Sequence, residues 1–352
     1  MLNFALIGCG RISERHSQLL GNNEISEAKL VAVCDVELKK AKRLAKKYNV
    51  PFFKDMDEMM TEVDIDVIVV LTPSGNHASN VINLAKYEKD IVVEKPMALT
   101  IEDADEMIKA CNENNCKLFV VKQNRFNLPV IKLREAVEQN RLGKIFLGTV
   151  RIRWARHQSY YDQDNWRGTW KMDGGVLTNQ ASHHVDLLEW MLGEVESVLA
   201  KSITALADIE VEDTAAVILK FKSGALGIIE ATTASRPNDL EGSLSLMGDK
   251  GSVVIEGFSV NKIKTWSFKD MKKSDEDILD NFSENPPNVY GFGHKSYYEN
   301  VVSCINNGTP NKVDGAEGRK SLELINAIYE AIETRKEVFI DSCSKKSKLG
   351  RN

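Results

Sequence analysis

Leu2-Asn3-Phe4-Ala5-Leu6-Ile7-Gly8-Cys9-Gly10-Arg11-Ile12-Ser13 is the stretch whose reading decides the fold. Leu2 to Ile7 is an apolar run of strand length, and a helical segment is expected from Arg11 to Leu20. Gly8 permits a tight turn, and Gly10 lets backbone approach a pyrophosphate held at the helix N-terminus. Ser13 stands where the strict pattern has a third glycine, yet it is small enough for close helix–strand packing. A second strand, Lys29 to Val33, leads to Asp35, about 27 residues after Gly8 and close to the spacing of a ribose-binding acid. A carboxylate there accepts the adenosine ribose hydroxyls and repels a 2′-phosphate, so NAD is expected over NADP. Gly8, Gly10, Arg11, Ile12 and Asp35 are the first cofactor-binding candidates. An ordinary strand–helix turn with small residues is the plain alternative, and the position of Asp35 weighs against it.

Strand and helix keep alternating as far as residue 122. A helix is expected from Glu37 to Tyr48 and a short one near Asp57 to Thr61. The strand Val67 to Leu71 ends in Thr72-Pro73-Ser74, and a helix runs from Asn76 to Tyr87. Ile91 to Val93, a helix Ile101 to Asn114 capped by Thr100, and the strand Leu118 to Val121 complete the series. Such alternation specifies a doubly wound parallel sheet with ligands beyond the carboxyl ends of its strands. Thr72, Ser74, His77, Glu94 and Lys95 all fall there. His77 has the plainer role of capping the helix that follows. A lysine in Val92-Val93-Glu94-Lys95-Pro96 is placed to steer a substrate hydroxyl beside a nicotinamide.

The grammar then changes. After a helix from Pro129 to Asn140, a long strand is expected over Lys144 to Arg156. Hairpins follow around Lys222-Ser223-Gly224 and Gly248 to Gly251, so a mainly antiparallel open sheet forms a second α/β domain. The expected division is 1–122 for the Rossmann domain, 123–340 for a substrate and oligomerisation domain, and 341–352 for a loose tail. A helix is expected from Ala316 to Thr334, and a polar surface excursion from Lys269 to Pro287.

The second constellation is Asp173-Gly174-Gly175, continuing through Asn179 and His183-His184 to Asp186. If the helix there includes Asn179, then Asn179, His183 and Asp186 share one face. Histidine can take a hydroxyl proton near neutral pH, an amide can orient that hydroxyl, and a carboxylate can fix the imidazole tautomer. His184 then points roughly 100° away. A double histidine is also a common core feature.

The 352 residues are ample for two domains. A hydrophobic share of 43% and a charged share of 28% are those of a globular protein, and a net charge of −5 gives no cause to expect nucleic acid. No apolar stretch approaches a membrane span, and the six cysteines form no C-x-x-C pair, so a reducing cytoplasm is expected and no metal centre.

Taken together, the glycine fingerprint, Glu94-Lys95-Pro96 and the Gly-Gly segment with His183-x-x-Asp186 resemble the Gfo/Idh/MocA oxidoreductases. The resemblance covers nearly the whole chain to about Ile340. It implies dehydrogenation of a sugar, inositol or nucleotide sugar by NAD. Lys95 would contact substrate and nicotinamide ribose, and His183 would act as the base. Many members carry an aspartate four residues before that histidine, where this chain has Asn179. Val121-Lys122-Gln123-Asn124-Arg125, Tyr161 to Trp170 and Asn179 to His184 look like the WlbA/WbpB branch, which oxidises UDP-N-acetylglucosaminuronic acid at C3′ for surface-polysaccharide (O-antigen) biosynthesis. That resemblance implies a homo-oligomer, a tetramer by preference, with 2-oxoglutarate as a possible partner in cofactor recycling. Gln123, Trp166 and Arg167 join the cofactor candidates, although Trp166 could equally be core. Arg156, Tyr160 and Tyr161, with Asn179, Lys95 and His183, are the substrate candidates; a polar loop at a subunit interface is the plain reading of the first three. Another sugar or inositol dehydrogenase, or an NAD-binding sensor without catalysis, are the rival readings.

Overall fold

A computed structural model describes residues 1–282, 292–342 and 347–351. The chain divides into two compact units, Met1–Lys122 with His294–Arg319, and Gln123–Gly293 with Lys320–Asn352.

The first unit is built on six parallel strands, β1 (Leu2–Ile7), β2 (Ala28–Cys34), β3 (Phe52–Phe53), β4 (Val67–Val70), β5 (Asp90–Val93) and β6 (Leu118–Val120), in the order β3-β2-β1-β4-β5-β6. Parallel strands covered on both faces read as continuous apolar runs, and β4 is buried throughout. The order reverses between β1 and β4, which is the switch point where such sheets bind ligands. Helices Ser13–Gly21, Leu38–Tyr48, Met56–Glu62, His77–Ala85 and Ile101–Glu113 make the crossovers. The first begins two residues later than expected. Thr100 caps the last, its side chain accepting from Asp103 N at 3.1 Å.

Two expectations meet a different picture. By compactness the stretch 294–319 groups with this unit rather than with the second. Val120 N donates to Val313 O at 2.8 Å, and Tyr297 and Tyr298 of the helix Gly293–Asn307 are fully buried. The edge strand β6 thereby gains backbone partners that no local signal in the sequence announces. The tail is not loose along its length either: Ser347 and Leu349 are buried, and Gly350 N donates to Trp170 O at 2.9 Å. Leu349 is apolar enough to be drawn into the core of the second unit.

The second unit holds eight strands: β7 (Ile145–Arg153), β8 (Val195–Ile203), β9 (Thr214–Phe221), β10 (Leu226–Thr232), β11 (Glu241–Gly248), β12 (Gly251–Glu256), β13 (Lys262–Phe268) and β14 (Val338–Phe339). Their order is β13-β12-β11-β7-β10-β9-β8-β14, antiparallel except where β7 meets β10. One face packs on the helix Ser182–Leu192. Gly148 and Gly227 permit that approach, since a Cβ on Gly148 would lie 2.4 Å from Leu192 Cδ1. The expected excursion from Lys269 holds Asp275, buried and paired with Arg141 at 2.6 Å, while its part beyond Phe282 lies outside the described residues.

Candidate functional site

In the first unit the glycine turn does what its two glycines require. Gly8 has φ +100°, and a Cβ there would stand 2.6 Å from Leu71 O. The turn after β1 therefore lies against the backbone that leaves β4. A Cβ on Gly10 would meet nothing within 4 Å. Asp35 ties the turn to the end of β2: Cys9 N donates to one carboxylate oxygen at 2.7 Å and Glu37 N to the other at 2.8 Å. Ser13 closes the turn by donating from its hydroxyl to Gly10 O at 2.6 Å. Arg11 is exposed and Ile12 half-buried just before the helix. A closed hinge at Gly8 with open space at Gly10 fits a dinucleotide pyrophosphate.

Beyond β4, Thr72 Oγ1 accepts from Asn80 Nδ2 at 2.9 Å and Ser74 is buried in a 3₁₀ turn. His77 is buried between two carbonyls, with Nδ1 2.7 Å from Pro96 O and Nε2 2.8 Å from Thr72 O. Burial pushes its pKa down, against the pull of both carbonyls. His77 thus joins the ends of β4 and β5, which goes beyond capping. Glu94 is 5% exposed and pairs with His16 Nε2 at 3.0 Å. Burial would raise its pKa, but the His16 hydrogen bond and neighbouring positive groups hold it at about 2. Lys95 is half-buried and follows directly.

His16, Glu94 and His294 have ligand atoms within 4.8 Å of one another, a buried trio that spacing in the sequence could not reveal. Both His16 nitrogens already lie within hydrogen-bond distance of Tyr298 and Glu94.

In the second unit the helix starts at Ser182, with Ala181 as its N-cap, so Asn179 is not on it and shares no helix face with His183. Its amide donates to Asp173 Oδ1 at 2.5 Å, and its backbone N–H donates to Gly175 O at 3.0 Å in the turn that precedes the helix. His183 is 8% exposed, with Nε2 2.9 Å from Gln123 Nε2. Asp186 receives Arg125 in a two-pronged pair at 2.8 and 2.7 Å, fully buried, with the guanidinium 4.9 Å from the Trp190 ring centre. Neither the Gln123–His183 nor the Arg125–Asp186 contact was expected from the sequence. The only signal was the adjacency of Gln123 and Arg125 in one motif. His184 is core: it is fully buried, its ring nitrogens have no hydrogen-bond partner among the described residues, and burial lowers its pKa to about 4.

Arg156, Tyr160, Trp166 and Arg167 come together in this unit. Tyr160 has the Arg156 guanidinium 5.5 Å and the Arg167 guanidinium 4.6 Å from its ring centre, and its hydroxyl accepts from Arg167 at 2.7 Å. Trp166 is half-buried under Arg167 at 4.6 Å. Tyr161 is core, bonded to Thr233.

A profile described as "Oxidoreductase family, NAD-binding Rossmann fold" matches residues 2–122, and "Oxidoreductase family, C-terminal alpha/beta domain" matches 134–340. The chain belongs to the Gfo/Idh/MocA oxidoreductase family. The WlbA dehydrogenase of Chromobacterium violaceum, solved with NADH and UDP-GlcNAcA, is 40% identical with a TM-score of 0.89, covering 96% of this chain and 95% of its own. The Bordetella pertussis WlbA dehydrogenase, solved with the same two ligands, is 38% identical with a TM-score of 0.88, covering 96% and 98%. Myo-inositol 2-dehydrogenase of Thermotoga maritima is 29% identical over 97% of this chain and 99% of its own. This family member is an NAD-dependent oxidoreductase acting on a CH–OH group. Among the described residues no helix is long and apolar enough to cross a membrane.

Proposed function

We propose that this dehydrogenase oxidises the C3′ hydroxyl of UDP-N-acetylglucosaminuronic acid to the 3-keto sugar, in surface-polysaccharide biosynthesis. What carries the reading is 38–40% identity over nearly the full length to two enzymes solved with NADH and that sugar nucleotide. The pair of guanidinium groups around Tyr160 supports it, since planar forks suit carboxylate and diphosphate oxygens. Gly8, Gly10, Arg11, Ile12, Asp35, Thr72, Ser74, His77 and Glu94 are the residues of the first unit that would hold NAD, with Gln123, Trp166 and Arg167 from the second.

When bound, NAD supplies the two-electron acceptor for the alcohol carbon. Lys95 donates a hydrogen bond to the reacting oxygen and stabilises negative charge developing on it. His183 takes the hydroxyl proton. The Gln123 amide nitrogen only donates, so the neutral His183 ring accepts at Nε2 and keeps its proton on Nδ1. Half a turn of that amide brings Oε1 to an Nε2–H instead and makes Nδ1 the basic nitrogen. Gln123 Oε1, buried and without a hydrogen-bond partner among the described residues, would be satisfied by this change. Asn179, whose amide donates to Asp173 Oδ1, would orient the substrate hydroxyl. A homotetramer, and 2-oxoglutarate as the oxidant that recycles NADH, remain part of the proposal.

The inositol reading has one specific observation in its favour, the full-length match to the Thermotoga enzyme. A substrate screen with 2-oxoglutarate present, scored by mass loss of two hydrogens, separates the two. UDP-N-acetylglucosaminuronate is expected to exceed inositols and free sugars by about 100-fold in kcat/KM. His183→Ala and Lys95→Met are each expected to lower kcat by roughly 100-fold or more. A preference for inositols would overturn the proposal.

A further inference from the structure

A line of buried hydrogen bonds ends at the backbone of Lys95. Tyr298 Oη lies 2.5 Å from His16 Nδ1, and His16 Nε2 lies 3.0 Å from Glu94 Oε1. The other Glu94 oxygen accepts from Lys95 N at 2.8 Å. His16 and Tyr298 are fully buried and Glu94 is 5% exposed. Tyr298 and His16 are 282 residues apart in the chain.

The chemistry fixes its direction. A carboxylate only accepts, so Nε2 of His16 carries a proton, and in the neutral ring Nδ1 accepts from the Tyr298 hydroxyl. Burial raises the Tyr298 pKa well above its usual value, so that hydroxyl keeps its proton. Each bond therefore supports the next, and such chains polarise cooperatively in a dry interior. The rings are braced as well: His294 stands edge-on to His16 with centroids 5.4 Å apart, and Tyr298 stands edge-on to Phe4 of β1 at 5.7 Å. On the far side of Lys95, His77 reaches Pro96 O at 2.7 Å. The backbone is thus tied on both sides of the one residue whose side chain projects half-exposed.

We infer that Tyr298 and His16 are positioning residues for Lys95, acting through Glu94 to hold its main chain, and to keep a carboxylate charge beside its ammonium. This rests on the catalytic reading of Lys95. A packing role alone would be met by apolar side chains of similar volume, without a buried carboxylate.

The test is a double-mutant cycle between Tyr298→Phe and Lys95→Met in the full-length enzyme, with amide hydrogen exchange over residues 93–99 as a readout independent of turnover. With Lys95 present, Tyr298→Phe is expected to lower kcat about tenfold, leave KM within about threefold and accelerate exchange at the Lys95 amide. With Lys95→Met, the added Tyr298→Phe should cost less than twofold, because the group it positions is gone. Glu94→Gln carries the same test should Tyr298→Phe unfold, and it should also move the basic limb of the kcat profile to lower pH. Full kcat and unchanged exchange in Tyr298→Phe, with Lys95→Met inactive, overturn the inference and leave the catalytic reading standing. Full turnover by Lys95→Met overturns both. One equivalent of zinc held by His16, Glu94 and His294 in purified enzyme would also overturn it, since the metal would replace the Nε2 proton.

Discussion

Glu212 is a single residue whose protonation state the fold has altered. It is buried, Leu177 N and the Tyr329 hydroxyl both donate to its Oε1, and a Cβ on Gly175 would meet its Oε2 at 2.2 Å. Burial outweighs those donors and pushes its pKa from an ordinary 4.5 up to about 7. The folded state therefore binds this proton more tightly than the unfolded chain. Its contribution is complete below about pH 4.5, falls as pH rises through the interval to 7, and is absent above it. The difference amounts to about 3 kcal/mol across the window. Thermal unfolding between pH 5 and 8.5 should show a declining midpoint in the native protein and a flatter one in Glu212→Gln. An equal slope in both would assign the decline to other groups. Because Glu212 grips the turn before the helix of His183, this titration also bears on the order of that segment.

At the scale of elements, the Rossmann half was legible because its signals are local. Apolar runs give parallel strands, Thr100 caps its helix, and Gly8 sits where only glycine fits. Gly8 and Gly10 also separate two roles that one motif combines. Gly8→Ala puts a Cβ against Leu71 O at positive φ, so stability should fall by roughly 1–3 kcal/mol together with NAD affinity. Gly10→Ala meets no protein atom within 4 Å, so the melting temperature should hold while NAD binding weakens at least tenfold. Thermal melts and a nucleotide titration check both, and unchanged affinity in Gly10→Ala would remove that glycine from the cradle. The sequence was less readable where structure depends on distant partners. β3, β8, β13 and β14 went unassigned, and the helix that was considered as including Asn179 begins only at Ser182. Tyr298 and His16, Gln123 and His183, and Arg125 and Asp186 meet only through the tertiary fold. No periodicity could have paired them.

At the scale of the whole molecule, the outer face of the eight-stranded sheet carries a run of exposed apolar side chains. Leu199, Ile218 and Ile228 lie side by side in register across β8, β9 and β10, and all three are 41% exposed or more. One row on, Leu226 is opposite Leu147, which is itself opposite Met247. The apolar rows border charged ones, where Arg153 pairs with Glu230 at 2.6 Å and with Glu241 at 3.3 Å. Monomers rarely leave so contiguous an apolar face in water, and an acid–base border of both signs can complement a second copy of itself. The proposed homo-oligomer is therefore expected to use this face. Ile218→Asp with Ile228→Asp would place two charges in the buried middle of such a contact. Each replaces about 1.5–3 kcal/mol of apolar burial with a desolvation cost. Light scattering after size exclusion should show the native assembly reduced by at least one step at micromolar concentration, with the melting transition of the separated subunits still cooperative. An unchanged mass would move the interface to another surface.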